Sequence, residues 1–276
     1  MTDRDEAERR TASLFNSLAA DYDASGVDFF QPIARGLLSA LAPVQGENWL
    51  DMGCGRGAVL LPLAEAVAPG RVLGLDVSPA MLDLAVAAAE ERGVSNVDWV
   101  TGSAQSPDPS LGPFDGIASS LVLFFLPDPL EALRAWLPLL QPGGRIGVTT
   151  FAETDERWKH VDAVLAPYLP ERDARTSGSE GPFATSAGME DLLEQAGFVE
   201  PRTVNASLDV SFDTAERWFA FSMSVGQRAG WLAIPEQDRP AVRAEAAQRL
   251  LSYTRADGSI VFTQGVRHSL ARRAGA

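Results

Sequence analysis

The chain has 276 residues, 46% of them apolar, and a formal net charge of −14. That length suffices for one large α/β domain with a substantial buried core. The acidic balance, with the 23 Lys and Arg scattered along the chain, argues against a nucleic-acid partner, because a phosphate backbone is repelled unless a concentrated basic patch overrides the net charge. The single cysteine, Cys54, rules out an internal disulfide and a multi-cysteine zinc site and fits a reducing compartment.

The first ten residues, MTDRDEAERR, are polar and hold no apolar stretch, which argues against a secretory signal. The longest apolar run, residues 121–127, falls well short of the roughly 20 residues a membrane helix needs. A cytoplasmic protein with no membrane partner is expected.

In chain order, Leu14, Phe15 and Leu18 mark a first helix, and Phe30, Ile33, Leu37 and Leu41 recur at the spacing of a second. Trp49 to Met52 reads as a strand running into a glycine turn. A helix from about Ala58, a strand from Arg71 to Leu75, a helix with Ser78 as N-cap and Pro79 at N1, and a strand from Val97 to Thr101 complete a βαβαβ unit. Next come a strand from Phe114 to Ser119, then a helix opened by Asp128, Pro129 and Glu131 in a capping-box arrangement and stopped by Pro142-Gly143-Gly144. A strand from Arg145 to Phe151 follows. This alternation predicts a parallel sheet with helices on both faces.

Beyond Phe151, residues 171–182 read as an exposed loop, and Ser186 caps a short helix ending at Gly197. Val204, Ala206, Leu208, Val210 and Phe212 alternate as one face of a strand. Asp213 and Glu216 open another helix, a further helix runs to about Tyr253, and a last strand spans Ile260 to Leu270. The segment 213–255 is longer than a connection requires and reads as a cap.

The stretch WLDMGCGRGA, residues 49–58, poses the functional question. Gly53, Gly55 and Ala58 satisfy a loose dinucleotide fingerprint, with Asp76 at the distance of a ribose-binding acid. Asp51, however, stands beside the turn where a pyrophosphate would sit, and a carboxylate opposes that dianion. A ligand carrying a sulfonium and an ammonium is attracted instead, so Asp51 favours S-adenosylmethionine over a nicotinamide dinucleotide.

Four motifs in order, LDMGCGRG, VLGLDVSPAML, FDGIASSLVLFFLPDP and LLQPGGRIGVTTF, make the chain resemble the class I S-adenosylmethionine-dependent methyltransferases, in the small-molecule branch of the ubiquinone and menaquinone enzymes. The resemblance covers roughly Tyr22 to Phe151. It implies a Rossmann-like, doubly wound, mostly parallel seven-stranded sheet with an antiparallel last strand. It also implies a single domain over residues 1–276: an N-terminal helical lid (1–46), a cofactor core (47–151) and a substrate-side half (152–276) that contains the cap.

By the same resemblance, Asp51, Gly53, Gly55 and Gly57 line the methionine end of S-adenosylmethionine, Asp76 takes the ribose hydroxyls, and Val77 and Met81 pack on the adenine. Ser119 offers its carbonyl to the ammonium, and Tyr22 closes over the methionine carboxylate. Where many relatives have Gly-Asp-Ala after the third strand, with the Asp on the adenine amine, this chain has Gly102-Ser103-Ala104; Ser103, or Gln105, is the substitute.

Methyl transfer is an in-line displacement that rests mainly on alignment and desolvation. Where an acceptor needs a base, His160 is the candidate, and His268 is read as structural. Phe29, Phe124, Trp158 and Trp218 are candidates to hold an apolar or aromatic small molecule, as secondary metabolism supplies. No metal site is expected: Glu153, Asp155, Glu156 and Asp162 cluster around His160 without a ligand spacing. The expected activity is methyl transfer to O, N or C. The alternatives are a cyclisation or isomerisation on the same fold, and a nicotinamide oxidoreductase.

Overall fold

The computed structural model describes residues 3–19, 22, 25–169, 181–225 and 227–275. Helices α1 (Asp3–Leu18) and α2 (Phe30–Leu41) lead into β1 (Trp49–Met52), α3 (Leu60–Val67), β2 (Val72–Asp76), α4 (Pro79–Arg92), β3 (Val97–Thr101), β4 (Phe114–Ser120), α5 (Pro129–Trp136) and β5 (Leu140–Thr154). The remainder comprises α6 (Glu156–Asp162), α7 (Ser186–Gln195), β6 (Val199–Phe212), α8 (Ala215–Ser224), α9 (Arg228–Ala233), α10 (Arg239–Leu251) and β7 (Ile260–Arg272). Of the loop expected at residues 171–182, residues 171–180 lie outside the described ones.

The seven strands form one sheet in the order β3-β2-β1-β4-β5-β7-β6. β1 to β5 pair in parallel, and β7 runs antiparallel to both β5 and β6, as expected for the last strand. The chain winds outward from β1 to β3 and returns to β4 on the other side of β1. The carboxyl ends of β1 and β4 therefore flank the switch point at which open α/β sheets bind ligands.

Alternation along β1 sends its side chains to two cores. Trp49 joins Leu37, Leu41, Leu60 and Leu63 beneath α2 and α3, whereas Leu50 and Met52 join Leu133, Trp136 and Met189 beneath α5 and α7. A Cβ on Gly116 would meet the Trp49 ring at 2.4 Å, so the neighbouring strand has glycine where that indole lies across it. Arg145 lies over the Trp49 ring, its guanidinium 4.6 Å from the ring centroid and bonded to both oxygens of Glu47 at 2.8 and 2.7 Å.

Several boundaries follow the local chemistry closely. Ser78 caps α4 by accepting from Met81 N at 3.2 Å, and Gly93 closes it in the left-handed region at φ 68°. Asp128 caps α5, but the capping box is only half made: the Asp128 N–H donates to Gln105 Oε1 at 2.8 Å, and Glu131 binds Arg134. That helix ends at Trp136, before Pro138, and β5 already begins at Leu140 rather than after the two glycines.

Thr185, not Ser186, caps α7, accepting from Gly188 N at 3.0 Å, while Ser186 donates to Asn205 on β6. Likewise Thr214, not Asp213, caps α8. The single helix expected before Tyr253 is two, α9 and α10, because Ile234 precedes Pro235 and is pushed to an extended conformation at ψ 128°.

Candidate functional site

β1 ends in a turn whose three glycines, Gly53, Gly55 and Gly57, have φ of 76°, 51° and 89°, all in the region that disfavours side chains. Gly53 N and Cys54 N both donate to Leu75 O, at 2.7 and 3.0 Å, which ties the turn to the end of β2. A Cβ on Gly53 would meet Val122 Cγ2 at 2.5 Å, whereas one on Gly55 would face open space. The turn is thus packed on one side and leaves room for a ligand at Gly55.

Two buried carboxylates stand against this turn. Asp76, at the end of β2, accepts from Gly55 N at 2.8 Å and from Ser78 N at 2.9 Å. Burial raises its pKa, and these N–H donors oppose the rise. Asp51 is 1% exposed, and its Oδ2 has no hydrogen-bond partner among the described residues. Burial first, and the charge of Asp76 second, push its pKa up to about 8, against the Leu60 N–H that lowers it. A cation bound nearby would relieve that penalty, so an orphaned buried carboxylate oxygen suits a sulfonium and an ammonium. The same burial and the two carboxylates push the Cys54 thiol well up, which disfavours a thiolate nucleophile.

A cavity opens over the turn, and its lining brings together Tyr22, Gly53, Gly55, Asp76, Val77, Met81, Ser103 and Ala104. Of the other expected cofactor residues, Asp51 lies beneath the lining, and Gly57 packs towards Leu61. Ser119 is fully buried with its hydroxyl on Met52 O at 3.0 Å; the wall at that strand end is formed by Ser120, Leu121 and Val122. Gln105 is spent on Asp128, donating to its carbonyl at 2.9 Å and accepting from its N–H. Helix α1 adds Glu8, Thr11 and Phe15 to the lining at helical spacing; of these the sequence singled out only Phe15, and only as a mark of the helix. Arg56 reaches from the turn to the carbonyl of Tyr22, linking the glycine loop to the chain that follows α1.

Next to the cavity, seven aromatic rings form a closed circuit. Phe15 meets Tyr22 at 6.1 Å, Tyr22 meets Phe30 at 5.1 Å, Phe30 meets Phe29 at 5.1 Å and Phe29 meets Phe151 at 6.3 Å. Phe151 meets Phe124 at 5.5 Å, Phe124 meets Phe125 at 4.8 Å, and Phe125 returns to Phe15 at 5.3 Å. All are within the range of favourable aromatic pairing. Two of the expected substrate residues, Phe29 and Phe124, belong to this circuit.

The other two do not. Trp158 and Trp218 are buried in one apolar cluster with Phe212, Phe221 and Trp231, at 3% and 0% exposure, and neither lines the cavity. That cluster also holds Phe29 and the cavity-lining Leu121, and Phe221 links the two sets, 6.0 Å from Trp158 and 5.2 Å from Phe29. His160 is also elsewhere: it is exposed on α6, its Nδ1 2.8 Å from the Tyr253 hydroxyl and absent from the cavity lining. The structure therefore does not bring the candidate base to the site. His268 is buried on β7, with Nδ1 2.9 Å from Thr149 Oγ1 and Nε2 against Gly36, where an added Cβ would sit 2.6 Å away.

Near His160, Asp155 binds Arg157 and Glu156 binds Lys159, while Asp162 accepts from Gln227. Among the described residues, no group of three or more His, Cys, Asp or Glu is placed to hold a metal. No helix among them is long and apolar enough to cross a membrane.

Known proteins are similar to this chain in sequence and in fold. A family described as a methyltransferase domain matches residues 50–144. Nocamycin O-methyltransferase of Saccharothrix syringae is 35% identical over 272 residues, covering 94% of this chain and 97% of that protein. Aklanonic acid methyltransferase DauC of Streptomyces sp. strain C5 is 39% identical over 164 residues, covering 59% of this chain and 74% of that one. The YcgJ protein of Bacillus subtilis shares the fold at 19% identity and a TM-score of 0.59, with 88% of this chain and 99% of that one covered. The chain belongs to the class I S-adenosylmethionine-dependent methyltransferases.

Proposed function

We propose that this enzyme methylates an oxygen atom of a planar, apolar small molecule held within the aromatic circuit, in secondary metabolism. The carrying observation is the closed set of seven rings, three of which, Phe15, Tyr22 and Phe125, also line the cofactor cavity. Such walls take a flat conjugated face at low entropic cost. The choice of oxygen draws on the nocamycin O-methyltransferase, similar over nearly its whole length.

S-adenosylmethionine supplies an electrophilic methyl group on a cationic sulfur. Asp76 would hold the ribose diol, since a carboxylate accepts two hydrogen bonds. Gly53, Gly55 and Gly57 would admit the methionine end, with Asp51 stabilising its positive charge from below. Ser119 would contribute its backbone carbonyl to the ammonium, and Tyr22 would close over the carboxylate as part of a lid formed by residues 1–46. Val77 and Met81 would sandwich the adenine near Ser103 and Ala104. The helices within 213–255 would cap the acceptor's outer face.

Among the described residues, the titratable side chains that line the cavity are Glu8, Tyr22 and Asp76. With no histidine, lysine, arginine or cysteine among them, the acceptor oxygen is best supplied as its anion. An acidic phenol, an enol or a carboxylate meets that need near neutral pH. The oxygen lone pair then forms the new bond to carbon while the carbon–sulfur bond breaks and its electron pair stays on sulfur.

Incubation with methyl-labelled S-adenosylmethionine and a panel of planar acidic phenols, enolised diketones, carboxylic acids, alkyl alcohols and amines tests this reading. Label is expected in the first three classes. Transfer confined to amines or to carbon would overturn it.

A further inference from the structure

We propose that Glu8 on α1 is the acceptor for the 6-amino group of the cofactor's adenine, and so sets the enzyme's preference for that base. The inference rests on the reading that the cavity holds the adenosine between Asp76 and Ser103. Adenine carries an exocyclic amine with two donors, and a donor buried without an acceptor is costly. Val77, Met81 and Ala104, apolar side chains of the cavity lining, offer no side-chain acceptor.

The nearby polar groups already carry hydrogen bonds but keep lone pairs, so Glu8 stands out by its unpaired charge rather than by their saturation. Ser103 Oγ accepts from Gln105 N at 3.1 Å, and both ends of the Gln105 amide are held by the Asp128 backbone. The Asp76 oxygens accept from Gly55 N and Ser78 N. Glu8 lines the same cavity, and its carboxylate makes no hydrogen bond or ion pair among the described residues.

The placement of Glu8 is fixed by its helix. Leu14, Phe15 and Leu18 of α1 pack on Met81, and Asn16 Oδ1 accepts from Ser78 Oγ at 2.7 Å. Helix α1 is thereby docked on the start of α4, directly after Asp76 and Val77. Glu8, Thr11 and Phe15 form one stripe, and Glu8 stands about 10 Å along the axis from Phe15. The stripe brings an aromatic ring, paired edge-on with Phe125, and a carboxylate to the same cavity. An ionised carboxylate accepting from an amine is a charge-assisted bond, stronger than a serine hydroxyl provides.

Calorimetric titration with S-adenosylhomocysteine and with S-inosylhomocysteine, which has a carbonyl in place of the amine, tests the assignment. The wild type is expected to prefer the adenosyl ligand by roughly 10- to 100-fold, the scale of one hydrogen bond to a charged group. Glu8→Ala should bring the two affinities within about 3-fold, largely by losing the adenosyl ligand, and Glu8→Gln should retain part of the preference. Ser103→Ala should keep it. Undiminished preference in Glu8→Ala, an equal loss of both ligands, or no preference in the wild type would each overturn the proposal. A wild type that binds neither ligand would instead remove the cofactor reading beneath it.

Discussion

The halves of the sheet are stabilised in different ways. Around β1 and β2, buried polar groups are met locally: Asp76 by the N–H groups of Gly55 and Ser78, Ser119 by Met52 O, and Gln105 by Asp128. Around β6, β7 and helices α8 to α10, the interior is rich in aromatic rings, with Trp158, Phe212, Trp218, Phe221 and Phe262 in one cluster beside the buried His268–Thr149 pair. Both sides bury apolar clusters, but the turn side holds the unpartnered carboxyl oxygen of Asp51, and the β6–β7 side a group of packed aromatic rings. A ligand that carries charge has most to gain on the first side, and a flat apolar acceptor on the border between them.

This contrast breaks first at Asp51. Its folded pKa of about 8 lies above an unfolded value near 4, so the folded state keeps a proton that the unfolded state has lost. Stability of the ligand-free protein should therefore fall as pH rises across that window, by up to about 1.4 kcal/mol per unit. In thermal melts from pH 5 to 9, Asp51→Asn should flatten that decline relative to the wild type. Parallel curves would mean Asp51 is already ionised in the fold.

On the other side, Trp218→Ala empties a fully buried site and should cost about 3–5 kcal/mol in denaturant unfolding. S-adenosylhomocysteine affinity, measured by calorimetry under folding conditions, should stay within about 3-fold of the wild type. A large loss of affinity would show that the cap and the cofactor cavity are coupled.

Asp76→Ala should show the reverse, weakening the cofactor by roughly 100-fold through the lost hydrogen bonds to the diol. An unchanged dissociation constant would contradict the ribose assignment. The smallest effect is expected at His160, whose ring is exposed beside Tyr253. His160→Ala should shift stability by less than about 0.5 kcal/mol and leave turnover unchanged. A pH-dependent fall in turnover would return it to the mechanism.

The cofactor side was legible because its signals are local. A strand, a glycine turn, an acid about 20 residues on, and the Ser78-Pro79 cap each follow from neighbouring residues, and the structure brings Gly53, Gly55, Asp76, Val77, Met81 and Ser103 to one cavity. The acceptor side was less legible. Aromatic residues do not reveal from spacing whether they face a core or a ligand, so Phe29 and Phe124 fell in the circuit while Trp158 and Trp218 fell in the buried core. Caps slipped by one residue at Thr185 and Thr214, where adjacent polar residues compete for the same N–H groups.

By itself the sequence determined the alternation of strands and helices and the chemistry of the turn, because hydrophobic period, glycine backbone freedom and carboxylate charge act over a few residues. Only the tertiary structure decided that α1 docks on α4 and lends Glu8 and Phe15 to the cavity, that seven rings from four distant segments close into one circuit, and that His160 stands apart. Those outcomes depend on which faces find each other across the whole chain, and apolar burial, which drives that choice, carries no direction in the sequence.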